Sequence, residues 1–298
     1  MLTYITWTVD PAIFHLFGKE IRWYGLLFSI GFLVGYKIID IILKRERMPQ
    51  EWGDKLFLYI FLGVLIGARL VHCIFYGYTD HFSLFDNHYL NNPLEILKVW
   101  EGGLASHGGA IGIIIAVWLF SRRVTKKSML WTFDRLVMPV SLVGAMIRSG
   151  NLLNHEVYGI PTDVPWAFRF ILNIHRYQQG AEPVFSLPSH PTQIYEALAY
   201  LFIFAVLFYL YWKTSLRYRQ GFLFGAGTAA IFTARFFIEL IKENQEAFED
   251  GMFINMGQSL SIPFILMGLF FIVRALKLPP KTEEPIAQNK QKNSPKKK

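Results

Sequence analysis

Apolar residues cluster in seven long stretches along the chain, separated by shorter segments that carry most of its charged side chains. Stretches of roughly 20 apolar residues are long enough to cross a bilayer as α-helices. The pattern predicts membrane spans over residues 21–43, 56–76, 104–120, 130–152, 194–212, 222–241 and 260–276. The predicted fold class is therefore an all-α membrane protein with about seven transmembrane helices.

Lysine and arginine are distributed unevenly over the segments that connect these predicted helices. The segments that follow the first, third, fifth and seventh spans are basic, whereas the intervening segments contain few basic residues. Short basic loops tend to stay on the cytoplasmic side of a membrane. We therefore predict that the N-terminus lies outside and that the C-terminus lies in the cytoplasm.

The longest connections, residues 77–103 and 153–191, both fall on the predicted outer side. Connections of that length usually carry function or form a small subdomain, and we predict an extracytoplasmic subdomain for residues 153–191, between helices 4 and 5. Within it, residues 165–178 are typical of either a strand or an amphipathic segment at the membrane surface. Residues 1–278 are predicted to form one membrane domain, and residues 279–298 a disordered basic cytoplasmic tail.

Composition supports a membrane protein and excludes several other classes. The chain is 53% hydrophobic and only 17% charged, and its mean hydropathy of +0.30 is too high for an ordinary soluble domain. Basic cytoplasmic loops explain the net charge of +8, so we expect no nucleic-acid partner. The single cysteine, Cys73, excludes an internal disulfide, and we expect neither a metal nor a cofactor. The N-terminus lacks the pattern of a cleaved signal peptide.

Ten polar or charged residues at or near the ends of the predicted spans fall in the outer half of the membrane. Ionisable residues at membrane depth are costly and usually mark a functional site. The residues concerned are Tyr24, Arg69, His107, Arg148, His190, Gln193, Tyr195, Glu196, Arg235 and Glu239. We infer one polar chamber that opens to the outer leaflet, and its wall includes the polar end of the fourth helix at residues 146–159.

Several of these residues also have a purely structural interpretation, which the sequence leaves open. Arg235 and Glu239 are spaced i, i+4 and could neutralise each other on one helix face. Arg69 follows a pair of small residues that permits close helix packing. His107 could simply bond a backbone carbonyl.

The same holds for polar residues at both ends of the fourth predicted helix. Asn151 and Asn154 could form hydrogen bonds between helices. Asp134 and Arg135 lie near the cytoplasmic end, where we expect a solvated or topological pair.

The residue types in the chamber indicate which ligand it suits. The sequence contains no P-loop, no nucleophile elbow and no reactive-cysteine context. Arginine cannot act as a base, but its planar fork suits phosphate. Several arginines at outer-leaflet depth therefore indicate a phospholipid headgroup. The glycine pairs Gly102-Gly103 and Gly108-Gly109 would let the backbone approach such a ligand closely.

Six sequence blocks occur in a recognisable order along the chain. They are IRWYGLLFSIGFLVG (21–35), GARL (67–70), WEGGLASHGGAIG (100–112), IRSGNLLNHEVYG (147–159), HPTQIYEA (190–197) and ARFFIELIK (234–242). Together they resemble the prolipoprotein diacylglyceryl transferase family over nearly the whole chain, up to about residue 277. Ile147, Ser189 and Lys242 depart from the family pattern. Lys242 stands where the family has arginine, so it keeps the charge but loses the bidentate geometry.

The resemblance implies a particular reaction. The diacylglyceryl group of phosphatidylglycerol would move to the thiol of a lipobox cysteine in a prolipoprotein, forming a thioether and releasing glycerol phosphate. The implied partners are phosphatidylglycerol and prolipoprotein signal peptides with a lipobox cysteine. We expect a monomer in the bacterial inner membrane, with its active site facing the outer leaflet. A membrane lipid transporter and a non-enzymatic phospholipid-binding protein are the alternatives.

This interpretation assigns a role to each candidate residue. Arg148 and Arg235 are predicted to bind the phosphate of the leaving group. His107 is the candidate general base, because histidine titrates near neutral pH. Glu239 is predicted to orient Arg235. The predicted substrate-binding residues, which also include Arg148, are Tyr24, Arg69, Gly108, Gly109, Asn151, Asn154, Glu156, Gly159, His190, Gln193 and Glu239.

Overall fold

The computed structural model describes residues 4–16, 19–77, 87–99, 102–243 and 254–280. Seven long helices dominate these residues: α1 (Trp23–Arg45), α2 (Glu51–Phe75), α4 (Ser106–Phe120), α5 (Met129–Leu153), α7 (Thr192–Lys213), α8 (Phe222–Ile238) and α9 (Met256–Lys277). Two short helices, α3 (His88–Asn91) and α6 (Ile174–Tyr177), lie in the long connections. The strands are β1 (Tyr4–Thr6), β2 (Ala12–Leu16), β3 (Lys19–Arg22) and β4 (Ala167–Arg169).

All seven predicted membrane spans are confirmed as helices that are long and apolar enough to cross a bilayer. A π-helical turn, Ser121–Thr125, extends α4, and a 3₁₀ turn, Glu239–Ile241, extends α8. Large apolar side chains such as Leu33 and Phe202 are exposed, as expected for helices that face lipid. The predicted orientation stays a prediction, because these helix bounds are the same in either orientation. Of the predicted tail, residues 279–298, the structure describes only the first two residues, and the rest lies outside the described part of the chain.

The chain forms two compact units, whose boundaries fall within α1 and within α5. Unit 1 comprises Met1–Ile39 and Asp134–Glu283, and unit 2 comprises Asp40–Phe133. Residues 284–298 lie outside the described part of the chain.

In unit 2, α2 and α4 approach each other so closely that only glycine fits at the contact. A Cβ added at Gly112 would overlap the carbonyl oxygen of Gly63, and one at Gly108 would overlap that of Gly67. Without side chains at these positions, the two backbones come into direct van der Waals contact, as in other membrane helix pairs that use small residues. The structure therefore gives Gly108 a packing role, whereas its predicted contact with substrate stays a prediction.

Gly112→Ala is expected to destabilise the protein by about 1–3 kcal/mol or more, because the new methyl group would force α2 and α4 apart. The matched control is Gly25→Ala in α1, since a Cβ at Gly25 meets no atom within 4 Å. That control should be neutral or stabilise by up to about 1 kcal/mol through helix propensity. Thermal unfolding of both purified variants in detergent would test this, and equal midpoints would contradict the packing role.

In unit 1, the carboxylate of Asp134 caps the start of α8. Its oxygens accept hydrogen bonds from the backbone N–H groups of Gly221 at 2.6 Å and Phe224 at 2.9 Å. Both Asp134 and its neighbour Arg135 are buried. The expectation of a solvated pair was therefore wrong: a carboxylate at a helix N-terminus satisfies otherwise unpaired N–H groups, which makes its burial tolerable.

The connection between α5 and α7 folds against the N-terminal segment of unit 1. Strand β4 pairs in parallel with β1, and β2 pairs antiparallel with β3. Residues 165–178, for which a strand or an amphipathic segment was expected, contain β4 and the short helix α6. The indole of Trp7 also donates a hydrogen bond to the carbonyl of Leu152 at 3.0 Å. The N-terminal segment is thus tied to the polar end of α5.

His155 joins three segments of this region through its imidazole ring. The backbone N–H of Ile171 donates to Nδ1 at 3.1 Å, and Nε2 lies 2.8 Å from the carbonyl of Val9. Because Nδ1 accepts, the neutral ring must carry its proton on Nε2. Burial lowers the pKa of His155, although the Val9 carbonyl opposes that shift.

The stability of unit 1 is therefore expected to fall as the pH drops below about 6.5, the ordinary value for histidine. A folded-state pKa below the unfolded value means that the His155 contribution is complete above the unfolded pKa and is lost as pH falls. In unfolding experiments across this range, His155→Gln should remove part of the pH dependence. His175→Gln, at an exposed histidine of the same region, should retain it. Identical slopes for both variants would contradict this prediction.

Candidate active site

A cluster of five charged side chains, termed here the ion-pair cluster, lies in unit 1, and three of its members, Glu196, Glu239 and Lys242, are buried. The guanidinium Nε of Arg148 is 2.8 Å from a carboxylate oxygen of Glu196. The ammonium of Lys242 lies 3.7 Å from the other oxygen of Glu196 and 3.6 Å from an oxygen of Glu239. Arg235 Nε lies 3.9 Å from the same Glu239 oxygen. Three cations therefore share two carboxylates, which leaves the cluster with an excess positive charge.

The three cations of the cluster differ in how far they reach the surface. The side chain of Arg235 is 31% exposed, that of Arg148 is 16% exposed, and that of Lys242 only 1%. Lys242 Nζ has no hydrogen-bond partner among the described residues, so it acts on the two carboxylates through charge alone. The two arginines are thus the cations that can meet a ligand, while Lys242 links the carboxylates behind them.

Backbone packing around two glycines positions the cluster. Gly159 bridges to Lys242 in an antiparallel manner, and its N–H donates to the carbonyl of His190 at 2.8 Å. A Cβ at Gly159 would overlap the carbonyl oxygen of Ile241, so a side chain there would displace the segment that carries Lys242. Similarly, a Cβ at Gly257 would overlap the carboxylate of Glu239.

The start of α9 holds Glu239 in a second way. Asn255 and Gln258 form a capping box, in which each side chain bonds the backbone N–H of the other residue. The side-chain amide of Asn255 also donates to the carbonyl of Glu239 at 3.2 Å. The residue that ends α8 is therefore anchored to the cap of α9 through its backbone.

A second set of predicted residues surrounds the carboxylate of Glu156. Asn151 and Asn154 both donate to the same Glu156 oxygen, at 2.8 and 3.1 Å. Gln193 donates to the Glu156 carbonyl at 2.8 Å. Since Arg148 Nη1 lies 3.3 Å from the side-chain oxygen of Asn151, this set is connected to the ion-pair cluster.

Tyr24 and His190 complete the unit 1 residues that the sequence predicted. Tyr24 packs against Gly150, where an added Cβ would lie 2.7 Å from the tyrosine ring. His190 Nδ1 lies 3.3 Å from the hydroxyl of Tyr195, which also accepts a bond from the indole of Trp166 at 2.8 Å. The contacts shown for Tyr24 and His190 are thus with uncharged neighbours.

The remaining candidates belong to unit 2. The buried guanidinium of Arg69 donates to the carbonyls of Glu95, Ile96, Gly102 and Gly103, at 2.6, 3.0, 2.6 and 3.3 Å. Arg69 thereby ties the connection before α4 to α2, and a substrate contact stays a prediction. His107 is exposed on the first turn of α4, next to the buried Gly108 and Gly109.

Gly102 and Gly103 allow a backbone turn just before α4. Gly102 and Gly103 have φ angles of 94° and 73°, in the left-handed region that favours glycine. This conformation turns both carbonyls toward Arg69. The expected approach of this pair to a ligand therefore stays a prediction, while its turn geometry is observed.

Glu196 and Lys242 are central to the cluster, but neither was among the predicted catalytic or substrate-binding residues. Glu196 was placed in the predicted polar chamber without a role, and Lys242 was noted only as a departure from the family pattern. A signal did exist, because Glu196 lies three residues after Gln193 and so falls on the same face of α7. Among the described residues, no group of three or more His, Cys, Asp or Glu side chains could hold a metal ion.

Seven candidate membrane spans and a partly buried cluster with excess positive charge define an integral membrane protein suited to hold an anionic group. A family model described as prolipoprotein diacylglyceryl transferase matches residues 11–274. The chain belongs to the prolipoprotein diacylglyceryl transferase family, as the sequence blocks predicted.

Three relatives, each named phosphatidylglycerol–prolipoprotein diacylglyceryl transferase, are similar over almost their full lengths. The protein from Porphyromonas gingivalis is 48% identical, over 93% of this chain and 96% of its own. The one from Tolumonas auensis is 42% identical, over 91% and 97%. The one from Chloroherpeton thalassium is 40% identical, over 92% and 96%. The similarity thus extends over nearly the whole chain.

Proposed function

We propose that this protein transfers the diacylglyceryl group of phosphatidylglycerol to the lipobox cysteine of prolipoproteins. The observation that carries the proposal is the ion-pair cluster, where two partly exposed arginines stand in front of a buried lysine. Such a cluster suits a phosphodiester, which is anionic and prefers the planar guanidinium fork. Family membership supplies the reaction, since the relatives are named for phosphatidylglycerol and prolipoprotein.

In the proposed reaction, the substrate thiolate attacks the carbon of the diacylglyceryl group that bears the phosphate ester. A C–S bond forms, the C–O bond to phosphate breaks, and glycerol phosphate leaves with the bonding electrons. Arg148 and Arg235 would bind the phosphate and stabilise the charge that grows on it. Lys242, whose ammonium is buried, would hold Glu196 and Glu239 so that they keep both arginines in position.

The thiol must lose its proton for this attack, because a free thiol has a pKa of about 8.5. We assign this step to His107, which is exposed at the start of α4. Tyr24, Asn151, Asn154, Glu156 and Gly159 would shape the headgroup pocket. We further propose a monomer in the bacterial inner membrane, with the site open to the outer leaflet.

The proposed activity can be tested with purified protein in detergent, phosphatidylglycerol and a lipobox peptide that contains its cysteine. Release of glycerol phosphate and the mass of the peptide are followed together. Equal amounts of released glycerol phosphate and of peptide with an added diacylglyceryl group would establish the transfer. Lipid binding by folded protein without release would instead indicate a lipid transporter or a non-enzymatic lipid-binding protein.

In the same assay, His107→Asn is expected to lower the rate by about 10²–10⁴-fold near neutral pH, the usual contribution of general base catalysis. Asparagine can still donate and accept hydrogen bonds, but it cannot take a proton. Raising the pH should rescue the variant more than the wild type, because the thiol then ionises without help. An unchanged rate would show that His107 is not the general base and acts at most as a hydrogen-bond partner.

A further inference from the structure

A cavity of about 650 Å³ lies within unit 2, where α4 ends and α5 begins. Its lining includes Trp118, Ser121, Arg122, Lys126, Lys127 and Ser128. Three of these residues are cationic, and the described residues that line it include no Asp or Glu. Its volume falls in the range of about 300–1,000 Å³ that is typical of small-ligand sites. We refer to it as the basic cavity.

A buried hydroxyl in the wall of the basic cavity lacks a partner. Ser121 is only 5% exposed, and its Oγ has no hydrogen-bond partner among the residues that the structure describes. Buried polar groups are normally hydrogen-bonded, and an unpaired one lowers stability. Ser121 Oγ itself has almost no accessible surface, so a ligand in the basic cavity would reach it only after the side chain rotates.

Two of the cationic residues, Arg122 and Lys126, lie on a segment of unusual backbone geometry. Residues Ser121–Thr125 form a π-helical turn, a feature found frequently at functional sites. Lys126 follows with a φ of 56°, so the chain reverses sharply and Lys126 Nζ reaches the carbonyl of Arg122 at 2.5 Å. The guanidinium carbon of Arg122 lies 6.0 Å from the centre of the Trp118 ring.

The start of α5 adds a further positive contribution. Met129, the first residue of α5, also lines the cavity. The first-turn N–H groups of a helix carry partial positive charge and favour an anion. Ser128 already accepts the first-turn N–H groups of Leu130 on its Oγ at 3.3 Å and of Trp131 on its carbonyl at 3.0 Å, so the three cationic side chains are the main donors that the basic cavity offers to a phosphate group.

The position of the basic cavity indicates what carries that phosphate. The candidate spans Ser106–Thr125 and Met129–Leu153 end and begin here, so the cavity lies at the boundary between membrane and water. Trp118 is 46% exposed, and indole rings at this depth contact both headgroups and acyl chains. A basic loop required only for membrane orientation would need neither a cavity nor a buried hydroxyl.

We propose that the basic cavity binds the phosphate of an anionic phospholipid. The site would be an accessory lipid site, separate from the ion-pair cluster in sequence and in compact unit, and it does not depend on the proposed transferase activity. Basic pockets at helix ends are known to bind such headgroups. A soluble phosphate presents the same chemistry as the lipid headgroup.

The test measures the reactivity of individual lysines in full-length protein in nanodiscs. An amine-acylating reagent is added, and modification of Lys126 and Lys127 is compared by mass spectrometry with that of the exposed Lys213. The nanodiscs contain phosphatidylcholine alone, phosphatidylcholine with phosphatidic acid, or phosphatidylcholine with inorganic phosphate in the buffer. Phosphatidic acid supplies phosphate and acyl chains without the glycerol headgroup of the proposed substrate.

Selective protection of Lys126 and Lys127 by phosphatidic acid is the expected result. Arg122→Ala should weaken the apparent affinity about tenfold, the factor for one charge-assisted hydrogen bond. The matched control is Arg123→Ala, which removes the same charge from the same turn but is not among the cavity residues.

The outcomes separate the possible sources of the phosphate. Equal protection by inorganic phosphate would support the anion site but assign it to soluble phosphates. Protection of Lys213 to the same extent would show a general surface effect and overturn the proposal. Equal effects of Arg122→Ala and Arg123→Ala would overturn it too, because only Arg122 lines the cavity.

Discussion

Replacing Arg235 by lysine is expected to slow diacylglyceryl transfer about 10- to 100-fold while the protein stays folded. Lysine retains the positive charge but cannot form two parallel hydrogen bonds to a phosphate. The lost charge-assisted hydrogen bond is worth about 1.5–3 kcal/mol, and each 1.4 kcal/mol is a factor of ten in rate. Folding should survive, because the Arg235 side chain is 31% exposed and pairs loosely with Glu239 at 3.9 Å.

The assay is release of glycerol phosphate by the purified variant at saturating phosphatidylglycerol. Arg217→Lys serves as the matched control, because Arg217 bonds the Tyr218 hydroxyl and the Tyr211 carbonyl, outside the ion-pair cluster. The control should retain the wild-type rate. Full activity of Arg235→Lys would refute the bidentate contact, and an unfolded variant would show that the loose pair is structural after all.

Replacing Glu196 by alanine is expected to destabilise the protein by about 3–5 kcal/mol, the cost of breaking a buried ion pair from one side. The Glu196 side chain is fully buried and faces both Arg148 and Lys242. Without Glu196, Arg148 and Lys242 both lose a carboxylate partner. Lys242 would still face the carboxylate of Glu239. Thermal or denaturant unfolding in detergent would measure the loss.

Two further variants separate charge from shape at this position. Glu196→Gln keeps the volume and removes the charge, so it should lose most of the same stability. Glu51→Ala breaks an exposed i, i+4 pair with Lys55 and should cost no more than about 1 kcal/mol. If Glu196→Gln is as stable as the wild type, the cluster is held by packing and not by charge.

The seven helices were predictable because each requires only local information. An apolar run of about 20 residues must satisfy its backbone internally in a bilayer, and the helix does so within the run itself. The turn that carries Lys242 was not predictable in this way. It is held by Gly159 and the capped start of α9, which are distant in sequence.

In the candidate site, too, contacts between residues close in sequence were predictable, and contacts between distant residues were not. Arg235 and Glu239 were paired correctly from their i, i+4 spacing, since residues four apart share a helix face. The contacts of Glu196 with Arg148 and Lys242 join residues 48 and 46 positions apart, so no spacing rule could indicate them. Asp134 shows the same limit, because its partners at Gly221 and Phe224 belong to another helix.

The sequence by itself determined the membrane class, the seven spans, the family and most of the polar residues around the site. Those properties follow from apolar length, short-range spacing and blocks of residues that are adjacent in the chain. Only the tertiary structure decided which charges pair, which cations reach the surface, and that Lys242 is buried between two carboxylates. Coulomb energy and burial depend on distances in space, and distant segments acquire those distances only when the chain folds.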